Sequence, residues 1–216
     1  MTTAVIGVGN IGGAVARNLV DGGERVVLAS GDDEHARKLA SELGEQATAG
    51  SVGEAIAGAD AVVFAVWLDT MKELIGSHAA ALDGKVVIDP SNPIGYDENG
   101  ETIRTLPAEQ SAGSVVASLL PPGARYVKAF GTISADSLAS AANDAPRSAL
   151  FYATDDDRAA GVVERLITAA GFDPVRAGGV DVATRIEVPG GDLHQYGGLG
   201  GKLLSGDEAR AAVTAP

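Results

Sequence analysis

The apolar run TAVIGV at residues 3–8 leads straight into Gly7-Val8-Gly9-Asn10-Ile11-Gly12. Ile11, Ala14, Val15 and Leu19 then fall on one stripe, which predicts an amphipathic helix over 11–21. A G-x-G-x-x-G pattern alone says little. Between a strand and a helix, at the start of a βαβ unit, it restricts the chain to a narrow set of dinucleotide-binding folds. Each glycine has its own reason. Gly7 permits the tight turn, Gly9 lets a pyrophosphate approach the backbone, and Gly12 allows close helix–sheet packing. The helix start offers free N–H groups and a partial positive charge to the phosphates. Gly7, Val8, Gly9, Asn10, Ile11 and Gly12 are therefore candidate cofactor-binding residues.

The rest of the chain repeats the alternation. Apolar runs at 25–29, 61–66, 85–89, 125–130, 149–154 and 174–178 predict strands. Helical periodicity appears at 33–43, 52–57, 69–82, 108–119 and 157–170. The expected class is α/β, a doubly wound and mostly parallel Rossmann sheet with a small C-terminal extension. Pro93, Gly95, Gly100 and Pro107 mark 91–107 as a long loop. From Pro189 the periodicity dissolves into PGGDLHQYGGLGGKLL, a glycine-rich stretch poor for regular structure. The division expected is a Rossmann-type domain over 1–188 and a tail over 189–216, either flexible or folded over a site.

Composition removes several classes. Only 4% of residues are aromatic, so the core is built from Val, Ala, Leu and Ile. A net charge of −13 leaves no basic face for nucleic acid. The lack of cysteine excludes disulfides, thiolate metal sites and cysteine nucleophiles, and no histidines have metal spacing. The N-terminus has no basic region and reads as no signal peptide. The longest apolar run, residues 61–68, is too short to span a bilayer. A cytoplasmic location is expected.

The tip of the second strand reads LASGDD at residues 28–33. A carboxylate at the position of Ser30 would bind both hydroxyls of an NAD ribose and repel the phosphate of NADP. Ser30 supplies a hydroxyl instead, which tolerates that phosphate. His35, Arg37 and Lys38 follow within two turns, while Asp32 and Asp33 act against them or cap the helix. The balance leans to NADP. His78 lies on an apolar stripe and reads as a core or border residue. His194, with Gln195 and Tyr196 in the glycine-rich stretch, is either a substrate contact or an ordinary loop residue. Lys128 reads as pointing away from the face of Ala129, and residues 155–157 as a capped helix start.

The GVGNIGG turn, VVLAS, VVIDPSNP at 86–93, SAGSVVASLL at 111–120 and VKAFGTI at 127–133 occur in this order. Together they resemble the NADPH-dependent reductases of the deazaflavin coenzyme F420, and the related NADP-binding domain of metalloreductases, over roughly residues 1–188. The resemblance implies NADPH as cofactor and F420 as a second substrate. It places Val8, Gly9, Asn10 and Ile11 around the pyrophosphate. Ser30 and His35 fall near the 2′-phosphate, with Gly31 where the family keeps an arginine. Ala65, Val66 and Trp67 line the nicotinamide riboside. Pro90 and Asn92, with Phe130, Gly131 and Thr132, become walls between nicotinamide and second substrate. The glycine-rich tail, with His194, replaces a more helical C-terminus.

Hydride transfer between two such rings needs orientation and exclusion of water more than acid–base chemistry. This agrees with the lack of a recognisable Ser-His-Asp set, and no catalytic residue is singled out. Two other readings stay open: a non-catalytic NAD(P) sensor, and a small imine or hydroxy-acid dehydrogenase. A homodimer is expected from the chain's size.

Overall fold

The computed structural model describes residues 1–215. The first half alternates β1 (Thr2–Ile6), α1 (Asn10–Asp21), β2 (Arg25–Ala29), α2 (Asp33–Leu43), β3 (Ala47–Ala49) and α3 (Val52–Gly58). Then come β4 (Ala61–Phe64), α4 (Leu68–Leu82), β5 (Val86–Asp89), β6 (Ile94–Tyr96) and β7 (Thr102–Arg104). The second half holds α5 (Ala112–Leu119), β8 (Arg125–Lys128), α6 (Ala135–Ser140), β9 (Ala149–Ala153), α7 (Asp157–Ala169), β10 (Asp173–Gly178) and α8 (Gly206–Thr214).

One eight-stranded sheet runs in the order β10-β9-β8-β5-β4-β1-β2-β3. The strands from β3 to β8 across the sheet are parallel. β9 meets β8 antiparallel through the pair Lys128 and Ala153, and β10 is parallel to β9. The chain winds outward from β1 through β2 to β3, then returns to β4 on the other side of β1. That reversal opens a crevice beyond the carboxyl ends of β1 and β4, where doubly wound sheets bind their ligands.

Alternate residues of each strand feed opposite layers, as the two-residue strand period requires. Val5, Val63, Ile88 and Val127 pack with Val15, Leu19, Leu39, Leu138 and Leu166 of α1, α2, α6 and α7. Ile6, Val62, Phe64 and Val87 face Ile56, Met71, Ile75 and Val116 of α3, α4 and α5. A third cluster joins Phe151 and Val175 to Ile186, Leu193 and Ala209.

Several expectations are corrected. The predicted strands at 3–8, 61–66 and 125–130 stop at residues 6, 64 and 128, and the remainder turns toward the crevice. Residues 91–107 are not one loop, because β6 and β7 form an antiparallel hairpin within them. The helix predicted from 108 begins at Ala112, where Ser111 and Ser114 form a capping box. The stretch from 189 is folded. Its glycines make successive turns, and α8 starts at another capping box, of Ser205 and Glu208. No helix among the described residues is long and apolar enough to cross a membrane.

Candidate functional site

The glycine turn sits at the crevice and is built as its sequence demands. Gly7 has φ +89°, and its N–H donates to the Ala29 carbonyl at 2.8 Å, which ties the turn to the end of β2. A methyl group on Gly7 would lie 2.4 Å from the Ala65 carbonyl oxygen. One on Gly12 would lie 1.9 Å from the Gly7 carbonyl oxygen and 2.9 Å from Ala65 Cβ. One on Gly9 would meet nothing within 4 Å. Two glycines thus close the packing between β1, α1 and β4, and the third leaves backbone open to a ligand.

Helix starts sharpen the picture. The first-turn N–H groups of any helix lack intrahelical partners. In α2, α3, α5, α6, α7 and α8 a Ser or Asp side chain caps them. Among the described residues, only α1 and α4 are α-helices without such a cap; Gly9 and Trp67 stand at their N-caps. Both open onto the same crevice. Donors left uncapped on an exposed rim suit an anionic ligand, so the residues present fit a dinucleotide pyrophosphate.

Ser30 follows Ala29 at the end of β2, and its hydroxyl accepts from the Asp32 N–H at 3.3 Å. Asp32 caps α2 by accepting from the N–H groups of Glu34 and His35 at 3.0 and 3.2 Å. The aspartate pair therefore serves the helix start, and the His35 side chain is exposed on its first turn. His78 is half-buried at a kink in α4, with its ring against Gly53.

Residues 65–67 follow β4 at the crevice. Trp67 is 54% exposed and meets Tyr96 of β6 edge to face, with ring centroids 5.9 Å apart. The segment after β5 is held by side chains. Asp89 Oδ1 accepts from the Ser91 N–H at 2.7 Å. The Asn92 amide donates to the Gly131 carbonyl at 3.0 Å and accepts from the Val188 N–H at 2.9 Å. Asn92 thus joins the two walls and is spent within the chain. Pro90 is buried, and a methyl on Gly131 would lie 2.2 Å from its carbonyl oxygen.

Phe130, expected in a wall, and His194, read as either a substrate contact or a loop residue, are both packed inside the chain. Phe130, at φ +63°, sends its ring into the α1–α7 core layer and is fully buried, so it offers no side-chain surface to a substrate. His194 is buried as well. Its Nε2 donates to the Gly131 carbonyl at 2.9 Å and its Nδ1 accepts from the Tyr196 N–H at 3.0 Å, which defines a neutral ring. Gln195 completes the docking by accepting from the Ser134 N–H and donating to Ser137 Oγ and the Gly201 carbonyl. His194 and Gln195 hold the glycine-rich stretch to the loop after β8.

Burial lowers the His194 pKa from its ordinary value of 6.5; the Gly131 bond opposes this, and the Lys128 charge adds to it. The unfolded chain then binds the proton more readily than the folded one. The stability contributed by neutral His194 is full above about pH 6.5 and is lost as the pH falls through that value toward the folded pKa. The expected result is a melting temperature that declines as the pH falls below about 6.5, with a shallower decline in His194→Gln. An identical decline in the variant, read by thermal scanning, would exclude His194 as the source.

Beneath the walls lies a network that the sequence did not announce. Lys128 Nζ is 3.1 Å from Asp89 Oδ2 and 3.4 Å from Glu187 Oε1, and it also donates to the Ser91 carbonyl. Tyr126 donates its hydroxyl to Asp89 Oδ2 at 2.7 Å. Burial, with the Asp89 charge beside it, pushes the Tyr126 phenol well above its usual range. Glu187 accepts from the N–H groups of Ala112 and Gly113 at 2.9 and 2.8 Å, at the start of α5. The clue available was a charged residue inside an otherwise apolar strand, in VVID and again in YVKAF.

The fold and the open glycine turn at its switch point define a Rossmann-type dinucleotide-binding protein. Residues 2–93 match the family described as NADP oxidoreductase coenzyme F420-dependent. The chain is 30% identical over 197 residues to the F420-dependent NADP reductase of Methanothermobacter thermautotrophicus, covering 87% of this chain and 85% of that one. It therefore belongs to the F420-dependent NADP reductase family. A hypothetical protein from Sinorhizobium meliloti shares the fold with a TM-score of 0.81 at 26% identity, over 95% of each chain. A candidate F420-dependent NADP reductase from Arthrobacter sp. FB24 does so with a TM-score of 0.70 at 23% identity, over 84% of this chain and 86% of that one.

Proposed function

We propose that this protein is an NADP(H)-dependent oxidoreductase that moves a hydride between nicotinamide and a planar second substrate of the deazaflavin type. The carrying observation is the open backbone at Gly9, beside the uncapped starts of α1 and α4, on a turn that Gly7 ties to the end of β2, where Ser30 follows. Residues 7–12 would hold the pyrophosphate, Ser30 and His35 the 2′-phosphate, and residues 65–67 the nicotinamide riboside. Pro90, Gly131 and Thr132 would fix the separation of the two rings, with Asn92 and His194 keeping these walls in register. The dinucleotide supplies the hydride; the chain supplies orientation and exclusion of water. Its family membership supports the same reading.

Side-by-side titration with NADPH and NADH tests the cofactor, with Ser30→Ala and His35→Ala in parallel. NADPH is expected to bind more tightly, and each variant to narrow the gap. Equal affinities in the native protein would overturn the NADP preference. Turnover is followed with NADPH against deazaflavin, flavin, quinone and ferric-chelate acceptors. Tight NADPH binding without turnover of any of them would favour a sensor over a reductase. A homodimer and a cytoplasmic location belong to the same reading. Exposed Trp67 and Tyr96, in edge-to-face contact, offer apolar surface for a second copy, and the lack of cysteine suits a reducing compartment.

A further inference from the structure

A cavity of about 400 Å³ beside the β6–β7 hairpin has no part in the dinucleotide crevice. Arg104, Thr184, Arg185, Gly190 and Asp192 are among its lining residues. Its two guanidinium groups differ. Arg185 is neutralised by Asp192, with Nη2 2.8 Å from Oδ2, and also donates to the Val213 carbonyl. Arg104 donates only to neutral carbonyls: Leu106 at 3.1 Å, Gln110 at 2.6 Å and Pro189 at 3.3 Å. Those bonds hold the guanidinium in place and use three of its five N–H groups. No carboxylate pairs with it among the described residues. The cavity therefore carries one uncompensated positive charge, in a chain whose net charge is −13.

The location connects this charge to the redox site. Arg104 pairs across the hairpin with Ile94, two residues after Asn92. The Pro189 carbonyl that Arg104 holds comes directly after Val188, whose N–H is held by the Asn92 side chain. One wall of the cavity is thus continuous with the segment placed against the second substrate. A rigid guanidinium with unused donors is suited to a planar or tetrahedral oxyanion.

We propose that Arg104 is an anion-binding residue, and that its cavity takes a carboxylate or phosphate on a side arm of the second redox substrate. The anion site stands on the cavity alone; its assignment to a substrate arm rests on the hydride-transfer reading. Two variants test it. Arg104→Gln removes the charge, and Thr184→Glu adds an opposing carboxylate while leaving the bonds of Arg104 intact. With NADP⁺ saturating, inorganic phosphate is expected to raise the melting temperature of the native protein and to do so less in both variants. An equal rise in all three proteins, or none in the native one, would overturn the anion site.

The second arm compares KM for a deazaflavin carrying a phosphate-bearing side arm with KM for the same ring lacking it. The native protein is expected to favour the armed acceptor by about ten- to hundredfold, the range for a charge-assisted bond. Both variants should shrink that ratio toward one. An undiminished ratio in the variants would overturn the role of Arg104, and a native ratio of one would overturn the substrate-arm assignment. Failure of the native protein to reduce either acceptor would instead defeat the hydride-transfer reading, with the phosphate titration still reporting on Arg104.

Discussion

Gly12→Val is expected to destabilise the protein strongly, whereas Gly9→Asp is expected to fold and lose its dinucleotide. The two glycines lie three residues apart and fail differently. A side chain on Gly12 begins 1.9 Å from the Gly7 carbonyl oxygen, a backbone atom held by the β1–α1 turn. Relief requires moving α1 off the sheet, and overpacking of this kind costs about 3 kcal/mol or more. The corresponding fall in melting temperature is about 6–12 °C for a chain of this length. Gly9 has φ −70° and ψ −159°, which any residue adopts, and open space in front of it. Aspartate there would cap α1 and should leave stability unchanged or raise it by roughly a few tenths of a kcal/mol. It would also set a carboxylate where the pyrophosphate approaches. Like charges in contact cost several kcal/mol, so NADPH affinity should fall by about a hundredfold or more. Thermal scanning and quenching of Trp67, the chain's one tryptophan, separate the two effects. Native NADPH affinity in Gly9→Asp would move the pyrophosphate away from this turn.

The sequence made the crevice legible because its requirements are local. The positive φ of Gly7 and the contact of Gly12 with the Gly7 carbonyl arise within six residues, although both glycines also meet Ala65, and β1, β2, β4 and β5 announce themselves as apolar runs. Direction was not legible. The ALFYA run of β9 is buried throughout, and a fully buried strand looks alike whichever way it runs. The hairpin of β6 and β7 was missed because its three-residue strands bury no residue fully and carry no alternation. The α8 start was recoverable, since Ser205 and Glu208 have capping-box spacing, but the glycines before it obscured the pattern. The docking roles of His194 and Gln195 were not legible from their neighbours in sequence, which left His194 open as a substrate contact or a loop residue. Their partners, Gly131 and Ser134, lie some sixty residues earlier. Arg104 was invisible for a similar reason: what sets it apart is the missing counter-ion, which only packing reveals.

Lys128→Met should be the most damaging single change outside the glycine turn. Lys128 is 1% exposed and lies between two carboxylates, Asp89 at 0% and Glu187 at 1%. Methionine fills much of the same volume but leaves both carboxylates buried without a cation. Breaking a buried pair from one side costs about 3–5 kcal/mol. Glu187 keeps its bonds to the Ala112 and Gly113 N–H groups at the positive end of α5, so it tolerates the loss better. Asp89 keeps only the Ser91 N–H and the Tyr126 hydroxyl, so most of the cost should fall there. Asp89→Asn in the Lys128→Met background should then recover part of the stability, because asparagine can accept from Ser91 and donate to the Tyr126 oxygen. The double variant is expected to be more stable than Lys128→Met alone, with the two substitutions clearly non-additive in denaturant unfolding. Additive losses would mean that the two charges are not coupled. Lys128 and Asp89 also grip the carbonyl and the N–H of Ser91. Lys128→Met should therefore raise KM for the second substrate more than it weakens NADPH binding, because residues 90–92 move while the glycine turn stays.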